Sequence, residues 1–173
     1  GTIIAAVVAR RDVVAQYEAV LSSIGLHAGL VDLASFNVMN AVVAAGGEVD
    51  GDWLLVHLAA GAATLAILRG RALMFYRHRP ALDEESIGAL VHQTAMYHED
   101  RLGGGSFARV WLCGSGTAAE DARQEIGRRL GLPAETVDVR SAATWRDTGA
   151  PAGDGLDALA APIGLLVRDR DAA

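Results

Sequence analysis

The sequence has no lysine; every basic residue other than its histidines is arginine. That absence removes Schiff-base chemistry and the lysine of a phosphate-binding P-loop from consideration. Cysteine is nearly absent as well. Cys113 stands alone, so no intrachain disulfide can form, and a reducing compartment is the expectation. No apolar run reaches the ~18 residues of a membrane span, and nothing reads as a secretory leader. Neither His-Glu-x-x-His nor Gly-x-Ser-x-Gly occurs, so the zinc helix and the hydrolase elbow drop out, and Ser115 has no evident histidine partner. Basic charge is in deficit, at a formal net of −6, which argues against nucleic acid and leaves no patch for a membrane surface.

What remains is 173 residues with 51% hydrophobic and 21% charged side chains, the balance of a folded domain or two small lobes rather than a disordered chain. Gly1-Thr2 leads straight into an apolar run without an initiator methionine, so the chain is expected to be part of a longer protein.

Thr2–Ala9 and Leu30–Leu33 read as short buried strands. Between them Val13, Tyr17, Val20, Leu21 and Ile24 recur at helical spacing, and Gly25 closes that helix. Ser35 is the expected cap of a second helix running to about Ala45. Glu48–Asp52 reads as an acidic connection. Three strands follow, near Trp53–Leu58, Ala63–Arg69 and Ala72–Arg79, the last two joined by a turn at Gly70. Asp83 or Ser86 caps a long helix to Leu102. Ala108–Cys113 is a strand, Thr117–Leu130 a helix, Thr136–Val139 a strand, Ala142–Gly155 a loop and Asp157–Arg168 a final helix. The domain boundaries drawn from this pattern are 1–48 for a β-α-β-α unit and 49–173 for a three-stranded meander followed by strand–helix alternation.

Four segments carry a family likeness. They are Arg11–Tyr17 with Gly25-Leu26-His27 and Val31-Asp32-Leu33; the hairpin 53–79; Tyr97–Gly104; and Ala161–Arg168. Their order and spacing resemble the PilM-like proteins of type IV pilus assembly, which belong to the actin-like ATPase superfamily and are related to FtsA and GspL. The resemblance implies an α/β, ribonuclease-H-like mixed sheet with flanking helices. It implies a partial first lobe, lacking that lobe's opening meander, and a second lobe. Because Arg79-Pro80 leads into the long helix within a few residues, the second lobe lacks its small insertion subdomain.

The same resemblance makes the first hairpin a second phosphate loop. A working loop of that kind carries Asp-x-Gly; matched by position, the Asp falls on His57 and the Gly on Ala59. Imidazole is a poor magnesium ligand, and a methyl group stands where phosphate would approach. Gly61 and Thr64 could still serve the turn and one hydrogen bond. Gly114 and Gly116, between a strand and a helix, match the turn that lies against adenosine. These four are degenerate candidates. No catalytic residue, no metal ligand and no cofactor are assigned; ATP and magnesium would need a site supplied by the rest of the first lobe.

The function implied is a non-catalytic scaffold for a type IV pilus or related secretion machine, held at the cytoplasmic face of the inner membrane by partners. The alternative is an ATP-binding ATPase domain of the same superfamily. The implied partner is the cytoplasmic peptide of a bitopic, PilN-like protein. Unpaired strand edges would also allow a homodimer. Three side-chain expectations complete the reading. His98-Glu99-Asp100 is a solvated helix end, Trp145 is a core candidate that would anchor a partner if its loop exposes it, and Arg77 and Arg79 share one face of a strand.

Overall fold

Each of the three meander strands is bounded by turn residues and fastened to its neighbour by antiparallel pairing. In the computed structural model β1 is Asp52–Ala59, β2 is Ala62–Arg69 and β3 is Ala72–Arg79. Asp52 pairs with Arg69 and Ala59 with Ala62, while Ala63 pairs with Arg79 and Arg69 with Ala72 across a bulge at Ile67/Leu68. The structure describes residues 6–46, 49–59, 61–80, 86–114, 117–145 and 156–172.

Two further strands extend the sheet in parallel. β4 (Arg109–Cys113) runs beside β1, and β5 (Ala134–Thr136) beside β4, giving the order β3-β2-β1-β4-β5. The last strand lies earlier than its expected place at Thr136–Val139. Val137 and Val139 are buried; the Val137 N–H still donates to the Leu112 carbonyl at 3.2 Å, and beyond it the chain leaves the ladder.

Helices cover both faces of the sheet. Leu54, Val56, Ala63, Leu65 and Ile67 point to α3 (Ile87–Leu102) and α4 (Thr117–Leu130). Trp53, Leu55, Ala66 and Leu68 point to α2 (Ala34–Gly46) and α5 (Ala160–Ala172). A sheet buried on both sides needs apolar residues at nearly every position, and so these strands read as runs rather than alternations. β3 ends at Arg79 and α3 begins at Ile87, so no subdomain intervenes. Ser86 caps α3, accepting from the Ala89 N–H at 3.2 Å; Asp83, the other expected cap, lies outside the described residues.

The chain divides into two compact units, Gly1–Leu33 and Ala34–Ala173. α2 falls in the second unit, with the sheet. Ser35 lies inside α2 and pairs with the Tyr76 hydroxyl at 2.9 Å instead of capping the helix. The first unit holds α1 (Arg11–Ser22), none of whose residues is buried. Residues 6–9 and 30–33 form no strand. Strands exist only where a neighbour accepts their backbone hydrogen bonds, and the described residues of this unit offer none.

Candidate functional site

The carboxyl ends of β1 and β4 open into a cleft of about 720 Å3. In α/β sheets this is the common position for a ligand. Its walls come from His57–Ala59 and Gly61 on the first hairpin, Ser86 and Ile87 at the start of α3, Cys113 and Gly114 at the end of β4, Ala118, Ala119, Asp121, Ala122 and Glu125 on α4, and Asp157 ahead of α5.

Asp157 organises the floor. It is 4% exposed and sits in a 3-10 turn, Leu156–Leu159. Its carboxylate accepts the Gly114 N–H at 2.8 Å and the Ala158 N–H at 3.0 Å, and its own carbonyl accepts the Cys113 thiol at 3.4 Å. The Gly114 N–H at the end of β4 is thus taken by a side chain of the chain itself. Glu125 lies against the start of α3. A Cβ built on Gly88 would fall 2.3 Å from Glu125 Oε1, so the carboxyl group rests directly on the first turn of that helix. A helix N-terminus favours such a negative charge. Asp121 adds a third carboxylate to the lining.

His57 is half-buried at the mouth of the cleft. Burial pushes its pKa down; Asp157 opposes that shift and His78 reinforces it. Thr64, its partner across the hairpin, does not line the cleft. The Thr64 hydroxyl is engaged with His78 Nδ1 at 2.9 Å, on the sheet face toward α2 and α5. Gly61 lines the cleft at the hairpin turn, where φ is +77° and a side chain would be strained. Gly114 is explained by packing: a Cβ there would come within 3.0 Å of Leu58 Cβ. Gly116 lies outside the described residues.

The oxygen ligand expected on β1 is an imidazole. The Gly114 N–H at the end of β4 already holds the Asp157 carboxylate, one of three carboxylates that line the walls. Among the described residues, no group of three or more His, Cys, Asp or Glu is placed to hold a metal ion.

Cys113 is 3% exposed, and burial with the nearby Asp157 pushes its thiol up to about 12. The thiolate is the reactive form. Native protein is therefore expected to resist an aromatic disulfide reagent at neutral pH and to react fully after denaturation. Rapid labelling of the folded protein would contradict the buried thiol.

Three polar residues differ from their sequence reading. His98 is not a solvated helix end. It is 1% exposed, its Nε2 is 2.6 Å from Asp52 Oδ2, and its ring stacks on Phe107 at 4.6 Å. Asp52 is no loop acid either: it opens β1 and is gripped by Arg69 at 2.7 and 2.8 Å. That guanidinium, with His98, outweighs burial and holds the carboxyl down at about 2. Trp145 is tied back rather than presented, since its indole N–H donates to the Arg140 carbonyl at 2.9 Å and its ring packs on the core. Asp157 went unrecognised as a site residue because a single acid before an apolar helix reads only as a helix start.

No family model matches the chain, and no curated protein matches it. Solved structures do. A chain of a PilM–PilN type IV pilus biogenesis complex aligns with a TM-score of 0.68 at 18% identity, over 92% of this chain and 58% of that one. The ethanolamine utilization protein EutJ from Carboxydothermus hydrogenoformans aligns with a TM-score of 0.52 at 15% identity, over 92% of this chain and 62% of that one. At these identities the likeness is one of fold: the chain has the actin-like α/β architecture that its sequence led us to expect. It spans less than two thirds of the length of either matched chain. Among the described residues no helix is long and apolar enough to cross a membrane.

Proposed function

We propose that this chain is a non-catalytic, actin-like part of a scaffold that assembles a type IV pilus or a related secretion machine. The observation that carries the reading is the state of the cleft. Asp157 accepts the N–H groups of Gly114 and Ala158, and Glu125 lies on the start of α3. These are backbone donors and a helix start that an anionic ligand in the cleft would otherwise meet. With His57 and Ala59 on the hairpin, the cleft keeps its shape but not its affinity for a polyanion. The fold likeness to a chain of a PilM–PilN complex supports the choice of machine. On that reading the partner is the cytoplasmic peptide of a bitopic, PilN-like protein, and the site of action is the inner face of the inner membrane.

The second reading is an ATP-binding ATPase domain, and the size of the cleft favours it. Isothermal titration of Mg-ATP into the longest form of the protein that carries this chain separates the two. The expected result is no binding heat and no phosphate release. Micromolar binding with turnover would replace the scaffold reading by the ATPase.

A further inference from the structure

The cleft at the carboxyl ends of β1 and β4 is walled mostly by apolar groups: Val38, Leu58, Ile87 and alanines early in α4. At about 720 Å3 it has room for more than one side chain. Three carboxylates share this wall, and among its described lining residues there is no arginine. Asp121 and Glu125 are four apart on α4, so they share one face of that helix. Like charges at this spacing repel. The neighbouring arginines are engaged elsewhere: Arg123 pairs with Glu120, and Arg128 bonds the Gln124 carbonyl. Asp157, 4% exposed, is held by two backbone N–H groups and makes no ion pair among the described residues. Buried charge of this kind is costly without a counter-charge.

The positive contributions inside the cleft are smaller. His57 is uncharged at neutral pH, since burial pushes its pKa down. The starts of α3 and α4 also face the cleft, and each is equivalent to about +0.5 of a charge. Three full negative charges outweigh them. A small cation would answer the charge but leave the apolar wall in water. An acidic or neutral segment would cover the wall but strip water from three unpaired carboxylates. A segment that is both apolar and basic satisfies charge and wall together.

We propose that the cleft receives a short segment of a partner protein that combines arginine or lysine with apolar side chains. Its basic head faces Asp121, Glu125 and Asp157, and its apolar neighbours cover Leu58, Ile87 and the alanines of α4. The inference rests on the reading that the cleft has no affinity for a polyanion, and it adds the class of ligand that the cleft takes instead.

The probes are three alanine-based peptides of equal length. Each carries the same leucines, together with arginine, its uncharged analogue citrulline, or glutamate. Agmatine serves as the guanidinium without a peptide. They are titrated into the longest form of the protein that carries this chain, with affinity read by fluorescence anisotropy and location by amide hydrogen exchange. The arginine peptide is expected to bind about tenfold more tightly than the citrulline peptide, to weaken as salt rises, and to slow exchange at the starts of α3 and α4. The glutamate peptide should bind least. In the double variant Asp121→Asn, Glu125→Gln the arginine peptide should fall to the level of the citrulline peptide, whose unchanged binding shows that the variant is folded. Equal binding of the arginine and citrulline peptides, an arginine preference that survives the double substitution, or protection elsewhere would overturn the proposal. So would agmatine matching the peptide. Displacement of the arginine peptide by Mg-ATP would remove the scaffold reading and this inference together. Silence of ATP and of every peptide would remove this inference alone.

Discussion

Replacing Asp52 by alanine is expected to cost about 3–5 kcal/mol of folding stability, the range for removing one partner of a buried ion pair. The reason lies in what is left behind. Arg69 is half exposed and can return to water. His98 cannot: it is 1% exposed, stacked on Phe107, and would keep a ring N–H with no acceptor. Gly104 prevents the ring from being displaced cheaply, because the chain passes so close that a Cβ there would fall 2.0 Å from His98 Nε2. Asp52→Asn retains an acceptor and should lose less. Urea unfolding followed by tryptophan fluorescence suits the test, since Trp53 adjoins the site and bonds the Gly70 carbonyl at 2.8 Å. A loss below about 1 kcal/mol would mean that the Asp52–His98–Arg69 cluster is not an anchor.

The same residue sets an acid limb. Its carboxyl lies at about 2 in the folded protein against an ordinary 3.8. A depressed carboxylate stabilises the fold above its unfolded value, and that contribution disappears as pH falls through the folded one. Roughly 2 kcal/mol should therefore be lost between about pH 4 and pH 2, and Asp52→Ala should flatten that part of the profile.

Gly164→Ala is the second large effect. α5 crosses α2 so closely that a Cβ at position 164 would fall 1.7 Å from the carbonyl oxygen of Asn37 and 3.1 Å from the N–H nitrogen of Ala41. Both obstacles are backbone, so no rotamer change relieves them and the helices must part. The cost expected is about 3 kcal/mol, at the upper end for overpacking. Gly127→Ala is the control. It lies within α4, and its new methyl would meet only the Leu132 carbonyl at 3.8 Å. Alanine favours a helix interior by about 1 kcal/mol, so this variant should gain stability in the thermal melt. Equal melting temperatures for the two would contradict the close crossing.

Elements framed by local punctuation were legible in the sequence. The meander was found to within a residue, and α4 was placed from Thr117 to Leu130 because Gly-x-Gly precedes it and Gly131-Leu132-Pro133 follows. The parts that escaped depend on residues brought together from far apart. Asp52 and His98 are 46 positions apart, and Gly114 and Asp157 are 43 apart. His98 did carry a sign of its burial, since it continues the Leu90–Val91–Thr94 stripe one turn on. A charged-looking His-Glu-Asp end hid it. Thr64 shows the converse: a hydroxyl at a suggestive spacing can be spent on a cross-strand neighbour, and only the register of β2 against β3 reveals that.

The pairing of α2 with α5 also bears on how the chain comes off the ribosome. Of the elements in the sheet-containing unit, α2 is made first and α5 last, yet together they roof one face of the sheet. Throughout synthesis Trp53, Leu55, Ala66 and Leu68 wait beneath half a roof. Contacts that close only between the two ends of a chain form slowly, and exposed apolar surface in the interval invites wrong partners. Losing the final helix would thus make that interval permanent.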